Sequence, residues 1–123
     1  MAASAQALEF AADLFAGLGH VAIRRMFGGA GVYAQDVMFA LIDDDVIYLK
    51  ADEALKRDLA AEGSNAWIYT PAKGPRAGIP EQSSYWSLPE AALDDPDAAC
   101  AWGQRAIAAA VALRAPKPKK PRN

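Results

Sequence analysis

Residues 24–52, from Arg24 to Asp52, are RRMFGGAGVYAQDVMFALIDDDVIYLKAD. Three apolar runs lie close together, GVYA (31–34), VMFALI (37–42) and VIYLK (46–50), and a shorter one, VAIRRMF (21–27), precedes them. β-Branched and aromatic residues fill the runs, and each is too short for a stable helix. The stretch therefore predicts an antiparallel meander of four strands. Gln35-Asp36 and Asp43-Asp44-Asp45 are short enough to be its hairpin turns. Along the third run, alternation puts Val37, Phe39 and Leu41 on one face and Met38, Ala40 and Ile42 on the other. Both sets are apolar, which predicts a central strand covered on both sides. Helices are expected on one face. The other is expected to meet a second copy of the chain in a two-fold dimer, or the loop 71–82 folded across it.

Working outward, Ser4 to Gly17 predicts a helix. Leu8, Ala11, Ala12, Phe15 and Leu18 form one stripe, Ser4 is the N-cap, and Gly17 with Gly19 is the stop. Downstream, Asp52 caps a second helix carrying Leu55 and Leu59 and ending at Gly63. NAWIYT (65–70) and SSYWSL (83–88) predict two more strands, joined by the loop PAKGPRAGIPEQ (71–82). Asp95 and Pro96 then open a long alanine-rich helix with Ala99, Trp102, Ala106, Ala109 and Leu113 on one face. Gly103 inside it is expected to let another backbone approach. The element order is α-β-β-β-β-α-β-β-α: an α+β, two-layer fold with about five to six antiparallel strands packed against helices.

Length and composition agree with one domain, residues 1–113, followed by a disordered basic tail, 114–123. The 53% hydrophobic content of the 123 residues suffices for a core without disulfides, and the single cysteine, Cys100, allows none within the chain. Formal net charge is −2, yet the tail RAPKPKKPRN holds five basic and no acidic residues. The body thus has eight basic against fifteen acidic side chains, a net of −7. That balance argues against a large nucleic-acid footprint on the folded surface. No run reaches membrane-spanning length and the N-terminus lacks the basic start of a signal peptide, so a cytoplasmic location is expected.

Chemistry-bearing groups are few. Arg24 and Arg25 are adjacent, so strand geometry sends them to opposite faces as candidate anion contacts. Lys73 and Arg76 of the loop, with Tyr85 beyond it, complete the candidate binding residues. The GGAG run (28–31) precedes a strand, without the helix that a phosphate cradle requires, so it reads as a turn needing positive φ or as close packing. His20 stands alone, the aspartate triplet lacks calcium-loop spacing, and Cys100 has no base nominated beside it. No paired carboxylates or nucleophile–base set emerges. The expectation is a protein that is not an enzyme, with no cofactor and no metal.

Arg24 to Tyr33 (RRMFGGAGVY), Met38 to Leu41 (MFAL) and Tyr48 to Asp52 (YLKAD) resemble the N-terminal domain of the TfoX/Sxy family, bacterial proteins associated with regulation of competence genes. SYWSLPEAALDDPDAACAW, further on, is similar to that family's segment before its alanine-rich last helix. The resemblance covers about residues 7–113, with Met26, Phe27, Gly28, Gly29, Gly31, Tyr48 and Lys50 as its structural motif. It implies a two-layer fold like that of bacterial secretion chaperones and a non-enzymatic regulatory module acting through an unknown protein partner. Weak nucleic-acid contact through the tail is the alternative, and a small-ligand-binding protein or enzyme is a third.

Overall fold

In a computed structural model, which describes residues 3–26 and 28–114, the chain forms an antiparallel sheet with three helices on one face. The elements are α1 (Ala5–Leu14), β1 (Ala22–Met26), β2 (Gly29–Ala34), β3 (Val37–Asp43), β4 (Val46–Lys50), α2 (Glu53–Ala61), β5 (Ala66–Tyr69), β6 (Glu81–Ser87) and α3 (Pro96–Arg114). Short 3-10 turns at Ala16–Leu18 and Glu90–Ala92 precede β1 and α3. Strand order across the sheet is β1-β2-β3-β4-β6-β5, all neighbours antiparallel. The predicted element order and α+β class are those observed. Phe27 and the tail beyond Arg114 lie outside the described residues.

The β2–β3 and β3–β4 hairpin turns are built without glycine at their positive-φ positions. Gln35 and Asp36 have φ of 52° and 66°, Asp44 and Asp45 have 53° and 62°. Two successive positive φ values give the turn whose twist matches that of paired strands, and aspartate tolerates this region better than most residues. Asp45 does more than turn the chain. Its carboxylate accepts from Ser4 N at 2.8 Å and from Ser4 Oγ at 3.1 Å, tying the start of α1 to the β3–β4 turn. Ser4 Oγ in turn accepts from Ala7 N at 3.0 Å, so the predicted N-cap is formed. Asp52 and Asp95 cap α2 and α3 in the same way, through Leu55 N and Ala98 N.

A β-bulge changes the expected faces of β3. Val32 pairs with Ala40 and Tyr33 with Met38, leaving Phe39 without a partner on β2. The extra residue shifts the alternation, so Val37, Phe39, Ala40 and Ile42 all join the core, whereas Met38 and Leu41 lie on the other face. Period-two reading fails here because it assumes an unbroken ladder. Phe39 is fully buried and meets Phe15 edge-to-face, ring centroids 5.3 Å apart. Such pairing adds about 0.5–1.5 kcal/mol beyond area burial.

Helix α1 stops at Leu14, earlier than predicted, and tightens into the 3-10 turn. Its buried stripe is Ala11, Leu14 and Phe15, with Leu18 packed alongside, while Ala12 is exposed. The tighter turn brings Phe15 and Leu18 against α3 at Gly103, where a Cβ would lie 3.0 Å from Leu18 Cδ1 and 3.3 Å from Phe15 Cε1. Gly103 thus admits side chains, not the backbone expected. On α3, Ala99, Ala106 and Ala109 are buried, but Leu113, near the end of the helix, is 55% exposed. Glu81 and Gln82 belong to β6, which shortens the predicted loop at its end.

Candidate functional site

Helices cover one face of the sheet, and the cross-strand register fixes what the other carries. Arg24 faces Gly31, Ala22 faces Tyr33, Tyr33 faces Met38, Leu41 faces Tyr48, Tyr48 faces Ser87 and Lys50 faces Tyr85. Directly opposed residues share a face, so these side chains form one surface with Trp67 and Tyr69 of β5. Trp67 stacks obliquely between Tyr48 and Tyr69, at centroid separations of 6.4 and 5.8 Å. Trp67 Nε1 donates to Asp43 Oδ2 at 3.0 Å, which orients the indole across the face. Met38 lies over bare Gly31, its Sδ only 2.5 Å from where a Cβ would stand. Leu41 is 7% exposed among these neighbours. The face is therefore no open apolar patch: tyrosines, a tryptophan and a thioether fill it, with cations at its margins.

Each of those cations rests on a tyrosine. The Arg24 guanidinium lies 5.2 Å from the Tyr33 ring centroid, and Lys50 Nζ lies 5.0 Å from that of Tyr85. Lys50 Nζ also donates to Ser84 Oγ at 2.7 Å. Among the described residues neither cation forms an ion pair with a carboxylate. Burial, and then the neighbouring Lys56, lower the Lys50 ammonium below the ordinary lysine range. Burial and then Tyr33 push the Tyr85 phenol up, and burial followed by Asp43 and Asp44 does the same to Tyr48.

The Phe39 bulge has a second effect. Pairing between β3 and β4 begins only at Ala40 with Leu49, so Lys50 leaves β3 and pairs with Tyr85 of β6. A cleft of about 240 Å³ lies where the strands part, walled by Val37 and Met38, by Lys50 and Tyr85, and by Leu113 of α3. Asp36 of the β2–β3 turn completes the wall, and it already has a partner. A broader hollow beside it, about 690 Å³, holds His20, Arg24 and Tyr33 and shares Asp36.

The candidate residues read from sequence separate. Arg24 and Tyr85 lie on the uncovered face. Arg25 turns to the helix side, as adjacency in a strand requires, and its Nη1 donates to Ala3 O at 2.9 Å. Arg76 pairs with Glu81, and Lys73 is exposed on the β5–β6 connection. Gly28 has φ of 83° at the β1–β2 turn, and Gly29 lies in β2 against the Ile42 carbonyl. Lys50, counted with the structural motif, lies on the same face beside Tyr85. Tyr33 and Trp67 are absent from the sequence candidates, and Met38 enters there only as part of an apolar β3 face, because their meeting depends on register between strands far apart in sequence. The signal present was the tyrosine and tryptophan content of four separate runs. Cys100 is half-buried, its Sγ 3.6 Å from Leu14 O. Among the described residues no group of three or more His, Cys, Asp or Glu side chains is placed to hold a metal, and no helix is long and apolar enough to cross a membrane.

Comparison with family models matches residues 13–110 to the TfoX N-terminal domain. No curated protein is similar enough to this chain to count as a match.

Proposed function

Because the chain belongs to the TfoX N-terminal domain family, and is thus a competence-regulator-like module, we propose that it acts without catalysis, by binding a protein partner across the uncovered sheet face. The composition of that face carries the reading: Tyr33, Tyr48, Trp67, Tyr69, Tyr85, Met38 and Arg24 are of the types enriched at the energetic centres of protein interfaces. Size agrees. Five inter-strand steps of about 4.8 Å make the face about 24 Å wide, and the seven residues of β3 make it about 23 Å long. A patch of that extent, with side-chain relief, suits one side of a standard interface of about 800 Å² per partner. The same face suits the two-fold pairing of two copies expected from sequence.

The test places a photo-crosslinking residue at Tyr48 or Leu41, and for comparison at Phe10, an exposed apolar side chain of the helix layer. Adduct to one discrete protein, or to a second copy, through Tyr48 and Leu41 but not Phe10 is the expected result. Adduct only through Phe10, or equal labelling at all three, overturns the assignment of the face. For the catalytic question, the alternative is an enzyme using the Lys50–Tyr85 cleft, and turnover lost in Lys50→Gln would establish it.

A further inference from the structure

We propose that the cleft where β3 and β4 part binds a small organic acid, its carboxylate held by Lys50 and Tyr85 and its apolar tail lying against Val37, Met38 and Leu113. This stands apart from the protein-partner reading: a chain that takes up the acid yet captures no protein keeps the one and loses the other.

The donors come first. An ammonium has three N–H groups, and Ser84 Oγ takes one of them at 2.7 Å. The ring of Tyr85 supports the charge from one side without accepting a conventional hydrogen bond. Among the described residues no carboxylate neutralises Lys50, although the body has an excess of acids, ten of which lie on the helices, their caps and the link into α3. Among the described residues Tyr85 Oη has only Met38 O, at 3.5 Å, beyond the usual reach of about 2.5–3.0 Å for such a bond. Two donors therefore face one hollow with their hydrogen-bonding capacity largely unspent, and a carboxylate, with two acceptor oxygens, fits that pair.

The walls decide the rest of the molecule. Val37, Met38, Ala110 and Leu113 are apolar, the thioether of Met38 adapts its shape to what it meets, and the Asp36 carboxylate, also on the wall, already has a partner. The volume, about 240 Å³, equals roughly eight water volumes, which suits an acid of about six to ten heavy atoms. A phosphate would find a single ammonium and a phenol, without the fork of guanidinium donors that anion of higher charge favours. Burial that lowers the Lys50 ammonium acts in the same sense, since an entering carboxylate restores what desolvation removed.

Hexanoate, with eight heavy atoms, is the probe. Titrated into the full chain and followed by the methyl resonances of Met38 and Leu113, it is expected to give a saturable shift. Hexanamide and inorganic phosphate at matched ionic strength are expected to give none. Lys50→Gln and Tyr85→Phe should each weaken hexanoate binding by about tenfold or more, because the first removes the charge opposite the carboxylate and the second removes a hydrogen bond to it. Should either variant fail to fold, Leu113→Trp, at a position 55% exposed, narrows the cleft from its outer wall and is expected to block binding. Absence of a saturable shift, an equal response to hexanamide or phosphate, or unchanged affinity in the folded variants overturns the proposal.

Discussion

Replacing Gly29 by alanine should damage this fold more than the same change at Gly28 or Gly31, for a reason visible at each position. A Cβ on Gly29 would stand 2.4 Å from the carbonyl oxygen of Ile42, where ordinary contact begins near 3.4 Å. The obstacle is backbone of the adjoining strand, so about 1 Å of displacement must come from the β2–β3 ladder itself. Forced displacement in a packed region costs about 1–3 kcal/mol, and a weakened ladder hydrogen bond costs about 1 kcal/mol. The smaller unfolded-state entropy of alanine returns about 0.5–1 kcal/mol, leaving a loss of about 1–3.5 kcal/mol, with about 2 kcal/mol at its middle. For a chain of 123 residues that is a fall in Tm of about 4–14 °C. At Gly31 the obstacle is the Met38 side chain, which can swing aside, so Gly31→Ala should cost under about 1.5 kcal/mol. Gly28→Ala meets open space but keeps φ at 83°, a penalty of about 1 kcal/mol. Urea unfolding of the three variants, with m-values compared to exclude denatured-state effects, measures the order. Gly29→Ala within about 0.5 kcal/mol of the parent, or Gly31→Ala as damaging as Gly29→Ala, would refute the argument from close approach.

Phe39→Ala should cost about 3–5 kcal/mol by urea unfolding, and a cycle with Phe15→Ala should reveal coupling of about 0.5–1.5 kcal/mol, since the rings meet edge-to-face. Lys50 should titrate below the ordinary lysine value of 10.5 when its Nζ is followed by NMR, and a value at or above 10.5 contradicts its burial. In the window between its lowered value and 10.5 the unfolded chain holds more protons, so stability contributed there rises with pH; the raised phenols of Tyr48 and Tyr85 reverse the slope above 10.0, where the folded chain holds more. Denaturation across that range should show the rise abolished in Lys50→Met and the fall lessened in Tyr85→Phe. Two-fold pairing across the uncovered face should give a light-scattering mass near twice 13.0 kDa at low micromolar concentration, reduced by Leu41→Glu; a parent mass near 13.0 kDa removes the homodimer.

Local chemistry made the helices and turns legible. Ser4, Asp52 and Asp95 cap where their side chains and neighbours say they should, because a cap depends on residues only a few positions apart. Arg24 and Arg25 part to opposite faces for the same local reason. The sequence pattern keeps Val37 and Phe39 together correctly but misassigns the faces of β3 from Ala40 onward, since a bulge arises from pairing with β2 and leaves no mark in the β3 run alone. The site shared that difficulty. Sequence groups Arg24 and Tyr85 with the loop 71–82, but the tyrosine under Arg24 and the cleft beside Lys50 depend on which strand lies next to which. Lys73 and Arg76 were chosen for their loop, and there the structure shows one exposed and the other paired with Glu81.

The position of β6 between β4 and β5 has a consequence for how the chain reaches this state. Strands β1 to β4 pair with their sequence neighbours, so that meander closes only short loops and is expected to nucleate early. The β5–β6 hairpin can form by itself, but it joins the sheet only when β6 docks on β4, after α2 and a longer span have been ordered. That seam has three paired positions, Tyr48 with Ser87, Leu49 with Trp86 and Lys50 with Tyr85, against five between β1 and β2. With the equally short β5–β6 ladder, it is where the sheet should part first under native conditions. Amide protons of β5 and β6 should exchange through an opening of lower free energy than those of β2 and β3, and the same opening would expose Tyr85 and release Lys50 without unfolding the meander.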